Sequence, residues 1–216
     1  MAVERMLAPA LSAACVLAAG ILILGLADTG PLTLQMAQHL FAMNVAAPLA
    51  AIFIVKMPAA SRSCAVFWSV AVLQIAVLWP WHWPSVQLAA ATSFPLHLLL
   101  SVLLMASALA FWTLVLDAAR NGRWRAILAL LMTGKLACLL GALMIFAPRD
   151  VYGLPGLLFP LCTTGPSTLQ DQQLAGLLMI TACPLSYLVA GVVLVSQMLT
   201  RMEAGSGRWL ATLVAR

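Results

Sequence analysis

One segment of the chain combines side chains that could bind a soft metal ion, within a stretch that is otherwise apolar. Gln35, Met36, His39 and Met43 lie at positions i, i+1, i+4 and i+8. In a helix, His39 is one turn from both Gln35 and Met43, and Met36 flanks the same face. Thioether sulfur together with imidazole nitrogen is a ligand set that suits copper, above all Cu(I). The alternative is that the methionines only pack and that His39 hydrogen-bonds a neighbouring helix.

The composition shows in which class of protein this segment lies. Hydrophobic residues make up 64% of the 216 residues and charged residues only 8%, whereas a soluble domain carries roughly 25% charged residues. Such a chain cannot cover a water-facing surface with polar groups, so the soluble, disordered and disulfide-scaffold classes are excluded. The net charge of +5 therefore indicates membrane topology rather than a nucleic-acid-binding patch.

The apolar stretches are about 20 residues long, which is the length that a helix needs to cross a bilayer. They cover residues 7–26, 33–55, 63–81, 95–116, 126–147 and 173–199. The sequence therefore predicts an all-α integral membrane protein, with one domain over residues 1–216 that forms a bundle of six transmembrane helices. The connecting segments are too short to hold a soluble domain.

The basic residues predict the orientation of this bundle. Apart from Lys135 and Arg149, they lie at the N-terminus, after the second and fourth spans and in the C-terminal tail: Arg5, Lys56, Arg62, Arg120, Arg123, Arg125, Arg201, Arg208 and Arg216. The positive-inside rule then places both termini in the cytoplasm, and the loops at about 27–32, 82–94 and 148–172 on the outer side. Lys135 falls inside the fifth span, where it is expected to face the bundle or to extend towards the interface.

With this topology all three histidines lie in one outer layer of the membrane. His39 is roughly 9 Å below the outer surface at 1.5 Å per residue, His82 follows the third span, and His97 is in the first turn of the fourth. Imidazoles at membrane depth are functional candidates because they are costly in lipid. The candidate metal ligands are therefore His39, His82 and His97, with Met36 and Met43.

Two further features flank this layer. The segment Trp79-Pro80-Trp81-His82-Trp83-Pro84 contains three tryptophans, which is typical of the aromatic belt at a membrane interface. Asp171 precedes the sixth span, where it is suited to cap that helix and to favour its N-terminal dipole. The alternative is that Asp171 orients a histidine ligand, and Gln35 is the other candidate for that role.

Signatures of common enzymes do not occur in the sequence. No serine lies in a G-x-S-x-G elbow, and neither a phosphate-binding glycine loop nor an HExxH zinc motif is present. The sequence therefore does not predict an enzyme.

Five segments of the chain together carry a resemblance to a known family. They are Gln38-His39-Leu40 with Ala46-Ala47-Pro48-Leu49, Trp81-His82-Trp83-Pro84, His97 with Phe111-Trp112, Leu140-Gly141-Ala142 with Tyr152, and Asp171-Gln172-Gln173-Leu174-Ala175-Gly176-Leu177. Their order and spacing resemble the CtaG-type (caa3-type) cytochrome c oxidase assembly factors over about residues 15–200. Members usually carry a further histidine four residues before His39 and before His97, where this chain has Gln35 and Ser93.

The resemblance implies a non-enzymatic factor in the bacterial inner (plasma) membrane that helps to mature a haem–copper oxidase. It implies copper, as Cu(I), bound and delivered at the outer side of the bilayer. The implied partners are cytochrome c oxidase subunits and a periplasmic copper chaperone, and no nucleic acid. Under this hypothesis, replacing His39 and His97 together by alanine abolishes Cu(I) binding.

Two other hypotheses remain open at this point. His39 and His97 lie at similar depth on different helices, as the axial ligands of one b-type haem would. The chain could also be a non-catalytic accessory or structural subunit of a respiratory complex, with histidines that only form hydrogen bonds. The departures at Gln35 and Ser93 favour this last hypothesis over what the family pattern alone would indicate.

Overall fold

The computed structural model describes residues 30–55, 63–121, 123–154 and 167–214. All regular secondary structure in these ranges is helical, as predicted. The elements are α1 (Pro31–Phe41), a π-helix (Ala42–Ala46), α2 (Ala47–Ile54), α3 (Cys64–Trp81), α4 (Pro84–Thr92), α5 (Phe94–Asn121), α6 (Arg123–Phe146) and α7 (Leu169–Val214). The predicted first span, residues 7–26, lies outside the described residues.

Within the described ranges, five stretches are long and apolar enough to cross a membrane. They are Pro31–Ile54, Cys64–Trp81, Phe94–Arg120, Arg123–Phe146 and Leu169–Thr200. Their bounds agree with the second to sixth predicted spans to within four residues. Lys135 lies on the exposed side of α6 rather than towards the bundle.

The segment 82–94, predicted as an outer loop between two spans, is mostly helical, because α4 covers Pro84–Thr92. Pro84 is the first residue of α4, a position where proline loses no helical hydrogen bond and already has the required φ. Three alanines at 89–91 then favour continuation of the helix. The last predicted span begins earlier than residue 173, because α7 begins at Leu169, where the hydroxyl of Thr168 accepts from the N–H of Asp171 at 3.1 Å.

Helix α3 is oriented by a buried stripe. Its members recur at helical spacing along one face: Phe67, Ala71, Gln74, Leu78 and Trp81. Helical periodicity brings such residues to the same side, so the stripe packs into the bundle. As a result Trp81 and His82, at the end of α3, lie inside the protein and not at its lipid-facing surface.

Helices α6 and α7 cross at a pair of glycines. A Cβ atom added at Gly141 would lie 2.8 Å from the carbonyl oxygen of Gly176, and one at Gly176 would lie 2.7 Å from that of Gly141. Small residues allow such close backbone approach between membrane helices. The crossing lies five residues after Asp171 and so fixes the end of α7 that carries this carboxylate.

Asp171 joins the start of α7 to the start of α1. Its carboxylate accepts from the backbone N–H of Leu32 at 2.9 Å and from that of Thr33 at 3.0 Å, while the hydroxyl of Thr33 donates to the backbone oxygen of Asp171 at 3.1 Å. The first N–H groups of a helix have no partner within the helix. Asp171 therefore caps α1 from another helix, whereas Thr168 caps α7. Gly30 is required beside this clamp, because a Cβ there would collide with the carboxyl group.

Candidate metal centre

Five side chains from three helices meet at the end of the bundle where α1 begins. Met36 and His39 come from α1, Trp81 and His82 from the end of α3, and His97 from the first turn of α5; we call this group the histidine layer. The ring centres of His39 and His82 are 6.2 Å apart. Trp81 lies 4.8 Å from His39 and 5.6 Å from His97, measured between ring centres. The three histidines therefore lie close together, as predicted, and Trp81 contacts two of them.

The imidazole of His82 has a different partner at each nitrogen. Its Nδ1 lies 2.7 Å from the carbonyl oxygen of Leu78, and its Nε2 lies 3.1 Å from the sulfur of Met36. A carbonyl oxygen only accepts, so Nδ1 carries the hydrogen and donates it. Burial lowers the pKa of His82 to about 4, and the bond to Leu78 opposes this shift only in part. The ring is neutral at neutral pH, and Nε2 has no hydrogen.

The contact between His82 and Met36 consequently joins two atoms that both have lone pairs. A thioether sulfur has no hydrogen to donate, and the neutral imidazole has none at Nε2. Both side chains are buried, with 3% and 1% of their surface exposed, so solvent does not separate them. The contact thus presents one nitrogen and one sulfur lone pair towards the same region of space.

The Nδ1 atom of His39 accepts a hydrogen bond, whereas that of His82 donates one. The indole N–H of Trp81 donates to Nδ1 of His39 at 2.7 Å. Indole nitrogen can only donate, so Nδ1 carries no hydrogen and the one hydrogen of the ring is on Nε2. His39 accepts at one nitrogen and carries the hydrogen on the other, whereas His82 donates at one nitrogen and leaves the other free.

The aromatic-belt interpretation is wrong for Trp81 and stays a prediction for the exposed Trp83. Trp81 is only 1% exposed and lies at the centre of the histidine layer, whereas Trp83 is 65% exposed. The signal that could have found Trp81 was its place in the buried stripe of α3, one helical turn after Leu78. Trp81 is the last residue of α3, whereas Trp83 lies just before α4 in an extended conformation.

The remaining predicted residues lie near this group in different ways. His97 is half-buried and contacts Trp81. Met43 is buried and belongs to the π-helix that follows α1. Its carbonyl oxygen accepts from the indole N–H of Trp112 at 2.9 Å. Gln35 is buried too, and among the described residues its side-chain oxygen has no hydrogen-bond partner.

The predicted role of Asp171 takes a different form in the structure. Both of its carboxylate oxygens accept from backbone N–H groups of α1. Asp171 therefore positions the helix that carries Met36 and His39, and it acts on the histidine layer through that backbone. In the part of the chain that the structure describes, no group of three or more His, Cys, Asp or Glu side chains could hold a metal ion.

A loop beside the layer was not predicted to contribute. The hydroxyl of Tyr152 donates to the backbone oxygen of His82 at 3.0 Å. Burial, together with the nearby carboxylate of Asp150, raises the pKa of Tyr152 to about 12, so it keeps its hydrogen at neutral pH. Gln172 holds the same loop, since its side-chain oxygen accepts from Val151 at 2.9 Å and its amide donates to the oxygen of Met144 at 2.9 Å.

Comparison with known protein families matches the chain to the cytochrome c oxidase caa3 assembly factor family (Caa3_CtaG) over residues 1–201. The chain belongs to this family. The resemblance found in the sequence is thereby confirmed, and the matched range includes every residue of the histidine layer and the Asp171 clamp. No curated protein and no solved structure matches the chain.

Membership of the Caa3_CtaG family fixes the general role of the protein. It is a cytochrome c oxidase assembly factor, which indicates a non-catalytic role and association with the oxidase. With several helices able to cross a bilayer, it is a multi-pass membrane protein.

Proposed function

We propose that this assembly factor binds Cu(I) between Nε2 of His82 and the sulfur of Met36 and delivers it to the oxidase. The observation that carries the proposal is the 3.1 Å contact between these two atoms. Two facing lone pairs are unfavourable by themselves, and a soft cation that accepts both converts the contact into a favourable one. Imidazole and thioether are the ligand types that copper favours.

The surroundings of His82 support this assignment. Ligand histidines in metalloproteins usually donate their second N–H to a carbonyl or a carboxylate, which fixes the ring and increases its basicity. The bond from Nδ1 of His82 to the Leu78 oxygen has this form. A site with only two protein ligands also leaves the ion open to attack by a ligand from a partner, so copper can move by ligand exchange.

The proposal places the histidine layer at the outer face of a bacterial inner membrane. There the factor would take copper from a periplasmic chaperone and pass it to an oxidase subunit. The sequence supports this orientation, because most of its basic residues follow the positive-inside rule with the histidine layer outside.

The hydrogen bond between Trp81 and His39 favours copper over a haem as the bound group. Axial histidines must direct free nitrogen lone pairs at one iron. Nδ1 of His39 is occupied by the indole, and the ring of Trp81 lies against both His39 and His97.

The test is a Cu(I) titration of the detergent-purified protein against a chromophoric Cu(I) chelator, with an absorption spectrum of the same samples. Because outer-shell partners alone are worth roughly 10–100-fold in metal affinity, H82A is expected to lower Cu(I) affinity by about 100-fold or more. M36L should lower it by about tenfold, since one ligand is lost and the volume is kept.

Two controls make this test specific. M132L changes a methionine on α6 that is 50% exposed and remote in sequence from the layer, and it should bind Cu(I) like the wild type. If H82A binds as tightly as the wild type, the proposed site is wrong. If the wild type is colourless and binds no copper, the accessory-subunit hypothesis replaces the proposal, and co-purification with mature oxidase at fixed stoichiometry would support it.

A further inference from the structure

The indole N–H of Trp81 occupies a nitrogen of His39 that would otherwise be able to bind a metal ion. The donor–acceptor distance of 2.7 Å is short, and both side chains are buried. Because Nδ1 of His39 accepts this bond, its lone pair is used. The hydrogen of the ring is then on Nε2, which has no free lone pair either.

The two buried histidines of the layer are thus in opposite states with respect to a metal. A ligand histidine offers a lone pair from one nitrogen and donates from the other. His82 has this arrangement, with Nδ1 bonded to the Leu78 oxygen and Nε2 free of hydrogen. His39 has the reverse arrangement, and Trp81 enforces it because an indole N–H cannot accept.

We infer that Trp81 sets the metal selectivity of the centre by withholding His39, so that only His82 and Met36 are offered as ligands. This inference rests on the proposed function. Zn²⁺ in proteins takes four ligands in a tetrahedron, and Cu(II) prefers several nitrogen and oxygen ligands in a square arrangement. A centre with one nitrogen and one sulfur ligand satisfies neither ion, whereas Cu(I) is stable with few, soft ligands.

Releasing His39 would change the ligand number, because the two imidazoles are already close. Two imidazoles that share one metal at roughly 2 Å from each nitrogen have ring centres about 6 Å apart at most. The ring centres of His39 and His82 are 6.2 Å apart. A small movement of His39 is therefore enough to add a second nitrogen ligand once Trp81 no longer holds it.

The experiment compares Cu(I) and Zn²⁺ affinities of the full-length protein in detergent for the wild type, W81F, H39A and W81F/H39A. W81F keeps an aromatic ring and removes the indole N–H. It is expected to bind Zn²⁺ at least about tenfold more tightly than the wild type, and H39A in the W81F background should remove that gain. In the native background, H39A should lower Cu(I) affinity far less than H82A does.

The matched control is W68F. Trp68 is a half-buried tryptophan on the same helix, thirteen residues before Trp81, and its ring contacts Phe67. W68F should leave both affinities at their wild-type values. The inference is overturned if W81F leaves Zn²⁺ affinity unchanged, or if H39A in the native background lowers Cu(I) affinity as much as H82A. Absence of Cu(I) binding by the wild type overturns the proposed function itself.

A second measurement tests the inference on the unmodified protein, in case W81F does not fold. In ¹⁵N NMR spectra of protein labelled at histidine, His39 should show hydrogen on Nε2 only, and its signals should stay in place when Cu(I) is added. The Nε2 signal of His82 should shift. A copper-induced change at Nδ1 or Nε2 of His39 overturns the inference, and no change at any histidine overturns the proposed function.

Discussion

Two polar clusters lie inside the bundle, and they treat their hydrogen-bonding groups differently. The histidine layer at one end directs two lone pairs, from Met36 and His82, at each other. The second cluster is formed by residues around Tyr187 that lie deeper along the helices: Gln74, Tyr187, Trp112, Asn44 and Ser186. There the hydrogen bonds pair a donor with an acceptor, as in the bond from the Gln74 amide to the Tyr187 oxygen at 3.1 Å, although Oε1 of Gln74 and Nδ2 of Asn44 have no hydrogen-bond partner among the described residues.

The Tyr187 cluster stabilises the π-helix that connects α1 to α2. Trp112 stacks on Tyr187 with ring centres 5.5 Å apart and donates to the carbonyl oxygen of Met43 in the π-helix. Ser186 donates to the side-chain oxygen of Asn44 at 3.0 Å. A π-helix leaves backbone groups out of the α-helical pattern, so these side chains stabilise a distortion. The difference teaches that buried polar groups of the same bundle stabilise the structure in the Tyr187 cluster, whereas two lone pairs face each other without a hydrogen between them in the histidine layer.

The largest expected effect comes from removing the clamp that positions α1, because α1 with its continuing π-helix carries residues of both clusters. D171A removes two hydrogen bonds to a charged acceptor, each worth roughly 1.5–3 kcal/mol, so the free energy of unfolding should fall by about 3 kcal/mol or more. Cu(I) affinity should fall with it, as Met36 loses its position. Thermal unfolding in detergent and Cu(I) titration measure both effects.

D171N is the control for this change, since it keeps the size of the side chain and one acceptor oxygen. It should lose about half as much stability as D171A. A melting temperature of D171A equal to that of the wild type would contradict the clamp and, with it, the dependence of both clusters on α7.

An intermediate effect is expected in the Tyr187 cluster. Y187F leaves the Gln74 amide without its partner and should lower the free energy of unfolding by roughly 1–3 kcal/mol. Replacing both partners, in Q74L/Y187F, should recover part of this loss, because two apolar groups leave no unsatisfied donor. Chemical or thermal unfolding of the three proteins gives the values.

Cu(I) affinity of the same variants decides whether the two clusters are independent. Both Y187F and Q74L/Y187F should bind Cu(I) like the wild type. A loss of Cu(I) affinity of about tenfold or more in a properly folded Y187F sample would contradict the independence of the two clusters, because it would show that the deeper cluster takes part in binding.

The smallest effect is expected at the edge of the histidine layer. Y152F removes a hydrogen bond to the backbone oxygen of His82 and should cost about 1 kcal/mol of stability. Cu(I) affinity should fall by less than about threefold, since the side chain of His82 keeps its bond to Leu78. A larger loss, measured by the same titration, would show that the loop at Tyr152 holds the ligand ring and not only its backbone.

Hydropathy alone predicts most of the fold. The third predicted span is residues 63–81, and α3 is Cys64–Trp81. The two agree because the thickness of the bilayer sets the length of an apolar run that crosses it. Helix α4 was missed because its segment is short and of mixed polarity, so it has no membrane signal. Its proline at the first position and its alanines carried the local signal instead.

The candidate site could be predicted only in part. Residue types on α1 and the shared layer of the histidines follow from spacing and topology. The roles of Trp81 and Asp171 depend on contacts between helices that are distant in sequence, which neither periodicity nor composition contains. Those contacts also determine which ring nitrogen of His39, and which of His82, carries the hydrogen.

The clamp between α1 and α7 also has a consequence for the order of events during synthesis. The N–H groups of Leu32 and Thr33 meet Asp171 only after about 140 further residues have left the ribosome, since the bonds span 139 and 138 positions. Until then the first turn of α1 has no such acceptor, and the helix bearing Met36 is not fixed in depth. A nascent chain that stops before α7 therefore lacks a finished histidine layer, and under the proposed function copper loading waits for completion of the whole bundle.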